Sequence, residues 1–292
     1  MAGENRPRLA VTLGDPRGIG PEVVEKALAR PLAADIVLLG GWPGTVHTEA
    51  EAGRIAADAI ADAVQLARSG AVQAIVTGPV HKRALHLAGY RYPGVTELLS
   101  HLAGNVPVAM MLVAAKLRVV LVTTHLPLRD VPPAVTTERV VETGRIAAAA
   151  LTRWWGIGQP RLAVCALNPH AGEGGLFGDE DERVLRPAAA ALGAAGPVPA
   201  DTVFVRAMRG EFDAVVAPYH DVGMTAVKVA GFGTGVNVTL GLPFPRTAPD
   251  HGTAFDIAGK GVADPGSMRA ALELAVELAG RQARVTPVEL PR

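Results

Sequence analysis

Three histidines in this chain each follow a short apolar run. Run 117–122 leads to His125, run 161–167 to His170, and run 214–217 to His220. If the runs are parallel strands, their carboxyl ends share one rim, which is where open α/β sheets bind ligands. Three neutral imidazoles at one rim suit a divalent metal such as Zn, Co or Ni. The plainer alternative is that each imidazole closes the end of its own strand by hydrogen bonding. A second group is cationic. Lys228 and Arg246 sit with Asn237 among glycines and small residues in a charge-poor stretch. Together they suit a phosphate or carboxylate. The alternative is that the two long stems are partly buried and only their heads reach water. His220 and all three of these residues fall within 215–261, a stretch whose glycines and polar residues read as a site and as a poor recipe for core.

The elements that must position these groups alternate in type. Strands are expected at 8–13, 35–39, 71–76, 107–113, 117–122, 161–167 and 214–217. Helices are expected at 21–30, 49–69, 82–88, 96–103, 136–155, 179–192, 201–209 and 266–279. His86 and His101 fall inside two of these helices as ordinary helical residues. Alternation of this kind predicts a mostly parallel sheet, or sheets, covered on both faces. After the first strand comes Gly14-Asp15-Pro16-Arg17-Gly18-Ile19-Gly20, and Pro21 then opens a helix. Strand, glycine loop and helix N-terminus can cradle an anion, although the spacing is not that of a Rossmann fingerprint. A plain turn is the alternative.

Bulk composition limits the classes. The chain has 292 residues, enough for one large or two medium domains. Its formal net charge is zero, so no broad basic surface points to nucleic acid. Hydrophobic residues make up 49% and aromatics only 4%, so the core is built from small and branched side chains. The single cysteine, Cys165, excludes an internal disulfide and a cysteine zinc cluster. There is no apolar run of about 18 residues, so no membrane span is expected. The first ten residues, MAGENRPRLA, carry no apolar signal core. The expectation is a cytoplasmic protein.

Several motifs in order carry a resemblance. GDPRGIGPE, TGPVHK, VTTHLPL, LNPHAGEGGLFGDED, ADTVF, YHDVG, GFGTGVNVTLGLPF and DHGTAFDIAGKGVAD run from residue 9 to about 268. Together they resemble the 4-hydroxythreonine-4-phosphate dehydrogenase family of pyridoxal phosphate biosynthesis. GDPRGIGPEVV and HGTAFDIAGKGVADP are also similar to segments of isopropylmalate and isocitrate dehydrogenases, which are β-decarboxylating enzymes. The resemblance implies an α/β fold of two α/β/α domains with an active-site cleft between them, isopropylmalate-dehydrogenase-like. The domains are expected at 1–92 with 256–292, and at 93–255. It implies a homodimer in which both subunits contribute to the site. Metal ligands fall on His125, His170 and His220, and the metal is Zn, Mg, Mn or Co. Substrate contacts fall on Thr96, Lys228, Asn237 and Arg246, with Val95 beside them. Lys228 and Asp201 are the candidates for proton transfer. His251, Gly252, Thr253, Ala254 and Asp256 are expected to hold the adenosine side of NAD or NADP.

The implied reaction is oxidation, with decarboxylation, of 4-hydroxy-L-threonine 4-phosphate to 3-amino-2-oxopropyl phosphate. Two departures from the family pattern bear on it. Val95 stands where the family has His, and valine can neither donate nor accept a hydrogen bond. The region between Gly40 and Ala50 is also shorter than in the family. The same chemistry on threonate or erythronate 4-phosphate is therefore the nearest alternative. A metal-dependent hydrolase using the three histidines is a further one, against which the HGTAFDIAGKG segment stands. A binding protein without activity is the last.

Overall fold

A computed structural model describes residues 6–44 and 46–282. In chain order the elements begin with β1 (Arg8–Thr12), α1 (Gly20–Leu28), β2 (Asp35–Leu39), α2 (Glu49–Arg68) and β3 (Ala74–Thr77). Next come α3 (Lys82–Leu87), α4 (Val95–Leu102), β4 (Ala109–Ala114), β5 (Leu117–Leu121), α5 (Val131–Ala134) and α6 (Thr137–Trp155). β6 (Leu162–Cys165), α7 (Arg186–Leu192), β7 (Ala195–Val198), α8 (Ala200–Met208) and β8 (Ala214–Ala217) follow. The chain continues through α9 (His220–Ala230), β9 (Val236–Leu240), β10 (Arg246–Pro249) and α10 (Gly266–Gln282). None of the described helices is long and apolar enough to cross a membrane.

The chain forms two compact units. One comprises residues up to Val106, Arg153–Gly156, and residues from Leu242 onward; the other comprises Pro107–Thr152 and Ile157–Gly241. The resemblance implies boundaries at 92/93 and 255/256. The observed ones keep β10 with its neighbour β3, to which it is hydrogen-bonded through Arg246↔Ile75 and Thr247↔Val76.

In the first unit β2, β1, β3 and β10 run parallel. All four residues of β3 and of β10 are buried. Successive strand residues point to opposite faces, so both faces must be covered. α2 packs on β1, β2 and β3, and α10 packs on β3 and β10. The loop after β1 shows why glycines are placed there. Gly14 has φ +79°, and a Cβ on it would lie 2.2 Å from the Pro79 carbonyl oxygen. A Cβ on Gly78 would lie 2.6 Å from the Leu13 oxygen. Two backbones meet here, and the Asp15 N–H donates to the Pro79 oxygen at 2.9 Å.

In the second unit the order is β9, β4, β5, β8, β6, β7. β5, β8, β6 and β7 are parallel, while β4 is antiparallel to both β9 and β5. The sheet is mostly parallel, as expected, with β4 the antiparallel exception. A two-residue connection, Ala115-Lys116, joins β4 to β5, and so short a link permits only an antiparallel hairpin. Alternate residues feed two cores. Val215, Ala217, Ala163 and Cys165 join the cluster with Val203, Phe212 and Val227, whereas Val216 and Val164 join Val140, Leu185 and Ala188. That alternation is a sheet between two helical layers.

The glycines and polar residues of 215–261 imply a site and a poor core, yet the stretch contains β9 and β10, in which eight of the nine residues are buried. Its small residues pack strands closely as well as opening turns. Replacing Gly14 with alanine would force a Cβ into the Pro79 carbonyl and strain φ. Gly14→Ala is expected to lose about 2–4 kcal/mol in chemical denaturation, and unchanged stability would remove the close-approach explanation.

Candidate active site

His125, His170 and His220 all follow the carboxyl ends of adjacent parallel strands, β5, β6 and β8. The register Leu121↔Ala217 sets β5 against β8. Beyond it the chains stay together, because Val122 N–H donates to the Ala217 oxygen (2.9 Å) and the Thr123 hydroxyl donates to the Pro218 oxygen (2.8 Å). Their continuation brings the His125 and His220 rings to 5.5 Å between centroids. Both rings line a pocket of about 160 Å³ with Leu128, Val131, Tyr219 and Asp221. His220 opens α9, and its Nδ1 lies 2.7 Å from Asp221 Oδ1. That contact occupies Nδ1, so Nε2 is the ring nitrogen for a ligand. Burial raises the Tyr219 phenol above its usual pKa, with Cys165 and Asp221 adding to the shift.

His170 sits differently. It begins a left-handed turn in which His170, Ala171 and Glu173 all have positive φ, between 43° and 56°. Each such residue costs about 1–2 kcal/mol, so something must hold the turn. Asp181, fully buried, accepts the N–H groups of Leu167 (2.9 Å) and Asn168 (3.0 Å). Asn168 in turn donates to Glu180 at 2.8 Å. The turn sets His170 Nδ1 3.2 Å from Glu173 Oε2 and leaves the imidazole exposed, edge-on to Phe177. The structure therefore pairs His125 with His220 and holds His170 apart on the same rim. Among the described residues no three His, Cys, Asp or Glu side chains of the one chain converge. Two adjacent imidazoles with an oriented Nε2 fit part of a divalent metal's donor set.

The other predicted residues of the second unit lie nearby in sequence. Lys228 is in the last turn of α9 and is partly buried. It is about 12 Å along the helix from His220. Asn237 lies in β9 opposite Leu112, and its Oδ1 is buried with no hydrogen-bond partner. A buried orphan acceptor is costly unless a ligand satisfies it. Asp201 is exposed in the first turn of α8.

In the first unit Arg246 is buried, 4% exposed, on β10. Its Nε donates to Thr77 Oγ1 at 3.1 Å, and Nη2 donates to the same oxygen. Burial pulls its pKa down to about 10, so it stays charged at neutral pH. Its head does not reach water, whereas the snorkelling alternative required that it should. Val95 and Thr96 are the first two residues of α4, both partly buried. His251 Nδ1 contacts the Gly252 oxygen at 3.1 Å, and its Nε2 is buried without a partner. The Thr253 oxygen accepts from Ile19 N–H at 2.9 Å, Ala254 has φ +40°, and Asp256 is exposed. The orphan His251 nitrogen fits a ligand contact such as a nucleotide supplies. The 14–20 loop packs here too. Arg17 is held by buried Asp15 (2.7 Å) and lies over Phe255 at 5.2 Å. Because Ile19 N–H and the Asp15 carboxylate are engaged within the protein, the loop is a structural turn.

Sequence reasoning missed Asp221, Glu173, Thr77 and Asp181. The first two adjoin the histidines and carry the usual carboxylate–imidazole signal. Thr77 and Asp181 depend on strand pairing and had no local signal.

An α/β protein with imidazoles at a strand rim belongs to a broad class, and the comparisons narrow it. The family described as "Pyridoxal phosphate biosynthetic protein PdxA" matches residues 25–275. The chain belongs to this family. It is 44% identical over 319 residues to a 4-hydroxythreonine-4-phosphate dehydrogenase of Beijerinckia indica, covering 92% of this chain and 94% of that one. It is 42% identical over 323 residues to D-threonate 4-phosphate dehydrogenase of Salmonella typhimurium, covering 93% and 98%. The crystal structure of a 4-hydroxythreonine-4-phosphate dehydrogenase from Klebsiella pneumoniae superposes with a TM-score of 0.87 at 40% identity, covering 96% and 100%. A β-decarboxylating dehydrogenase of Thermococcus kodakarensis shares the fold alone, with a TM-score of 0.56 at 19% identity. Both alignments to relatives are longer than this chain's 292 residues, so those relatives carry segments that it lacks.

Asp181→Asn replaces an acceptor with an amide whose NH₂ faces two N–H donors. It is expected to cost about 1.5–3 kcal/mol and to make the 169–175 turn the first site of limited proteolysis. Wild-type stability and cleavage in that variant would show that Asp181 does not hold the turn.

Proposed function

We propose that the chain oxidises and decarboxylates 4-hydroxy-L-threonine 4-phosphate to 3-amino-2-oxopropyl phosphate, using NAD(P)⁺ and a divalent metal, in pyridoxal phosphate biosynthesis. The enzyme class is an oxidoreductase acting on CH–OH. The observation that carries the reading is the His125–His220 pair at the carboxyl rim, in a chain of this family. When bound, NAD(P)⁺ would supply a hydride acceptor and a divalent metal (Zn, Mg, Mn or Co) a Lewis acid for the substrate hydroxyl. His125, His170 and His220 would hold the metal through neutral ring nitrogens drawn from both subunits of a homodimer, since the three do not converge within one chain. Asp221 supports this by fixing the His220 tautomer. Lys228 and Asp201 move protons to and from the substrate. Arg246, Asn237 and Thr96 hold its phosphate and carboxylate, with Val95 beside Thr96. His251, Gly252, Thr253, Ala254 and Asp256 take the adenosine side of the cofactor. The reading includes a homodimer with a shared site, working in the cytoplasm.

A second reading keeps the chemistry and changes the substrate to D-threonate 4-phosphate. The departure at Val95 motivates it, since an apolar side chain in the first turn of α4 lacks the substrate hydrogen bond expected of the family's histidine. The Salmonella D-threonate 4-phosphate dehydrogenase is nearly as similar to this chain as the Beijerinckia enzyme, at 42% against 44%.

Both readings meet one assay, in which each phosphorylated acid is supplied with NAD⁺ or NADP⁺ and a divalent metal while cofactor reduction is followed. Turnover of 4-hydroxythreonine 4-phosphate is expected. Turnover of threonate 4-phosphate alone moves the assignment to the second reading, and silence with both sinks the chemistry. His170→Ala is expected to lower bound metal, measured by elemental analysis, and to cut activity by at least about 100-fold. Full metal content and rate would remove His170 from the ligand set.

A further inference from the structure

We infer that Thr77 is a positioning residue that orients Arg246 for the phosphate of the substrate. The inference rests on the reading that Arg246 holds that phosphate. Thr77 ends β3 and is fully buried; Arg246 begins β10, and the two parallel strands are paired through Arg246↔Ile75. Two residues along β3 from Ile75, Thr77 projects on the same face of the sheet. Its single hydroxyl oxygen accepts from both Nε (3.1 Å) and Nη2 of Arg246. Two donors on one edge of a planar guanidinium, bound to one fixed oxygen, anchor that edge and limit the directions in which the fork can face. Threonine suits this role, because its branched side chain is stiff at χ1 and its strand backbone is held by neighbours on both sides.

The surroundings make the orientation consequential. The guanidinium is almost wholly removed from water, and it remains charged at neutral pH. In such a place a donor cannot turn to water if its partner is lost. Thr12, the Cα partner of Thr77 on β1, is also fully buried, and its hydroxyl has no partner. Loss of the Thr77 oxygen would therefore remove an acceptor from a polar row in which the Thr12 hydroxyl already lacks a partner. Bidentate recognition of a phosphate depends on the fork's plane, so a rotated guanidinium loses substrate binding while the reacting groups stay in place.

The test uses the full-length protein with NAD⁺ and divalent metal. It measures KM and kcat for the phosphorylated substrate in Thr77→Val, Thr77→Cys, Thr77→Ser and Arg246→Lys, with a thermal melt for each. Thr77→Val and Thr77→Cys keep the shape and remove or weaken the acceptor, so if one fails to fold the other reads the same quantity. KM is expected to rise about 10- to 100-fold in both, with kcat within about threefold, and Thr77→Ser is expected to restore it. Arg246→Lys, which keeps the charge and loses the fork, is expected to raise KM at least as much. A raised KM in Arg246→Lys with wild-type KM in Thr77→Val or Thr77→Cys overturns the Thr77 role alone. Wild-type KM in Arg246→Lys overturns the phosphate reading beneath it. A raised KM in Thr77→Ser equal to that of Thr77→Val also overturns the positioning role, because the hydroxyl would then not be the operative group.

Discussion

The pairing of β8 with β5 on one side and β6 on the other is the constraint on which the candidate site depends. Leu121↔Ala217 and Val164↔Val216 set three parallel strands in step, and each strand ends in a loop that carries a histidine. Parallel pairing puts all three carboxyl ends on one side of the sheet, and an antiparallel partner would send one to the far rim. The pairing in turn depends on burial of both faces. Val215 and Ala217 feed one core and Val216 the other, so a slip by one residue would exchange the two sets. The imidazoles are held by the same register that builds the core.

Local devices then refine what the strands deliver. Asp221 orients His220, and Glu173 meets His170 through a left-handed turn that no run of ordinary residues adopts unaided. The strain is held in place by buried Asp181, whose two backbone hydrogen bonds form on the loop before the turn. In the first unit the analogous device is the Thr77 oxygen on Arg246. In the two buried cases, Asp181 and Thr77, a polar atom that is costly to leave unpaired holds a loop backbone or a guanidinium in place.

Much of the fold was legible in the sequence. The apolar runs and the alternating helical patterns give the α/β class, and the strand positions of His125, His170 and His220 are as their preceding runs implied. β9 and β10 were not legible as strands, because Asn237 and Arg246 interrupt their apolar pattern with side chains that suggest a site. The antiparallel β4 was missed as well, since Ala115-Lys116 carries none of the usual hairpin turn residues. The 14–20 loop was legible as a loop and ambiguous in purpose. Its glycines read equally well as a ligand cradle or as a close backbone crossing, and the N–H groups of Asp15, Arg17, Gly18 and Ile19, all bonded within the protein, favour the crossing.

What the sequence determined by itself was the set of chemical groups and the order in which strands deliver them. Histidines after apolar runs, cations among glycines and the ordered motifs all depend on residue type and local spacing. Tertiary structure alone decided which of those groups meet. His125 and His220 are 95 positions apart in the chain and come to 5.5 Å because β5 and β8 are neighbours, whereas His170, on the next strand over, stays apart. Arg246 and Thr77 are separated by 169 positions and share a hydrogen bond because β10 lies beside β3. Strand order and register are set by how the whole sheet buries its two faces.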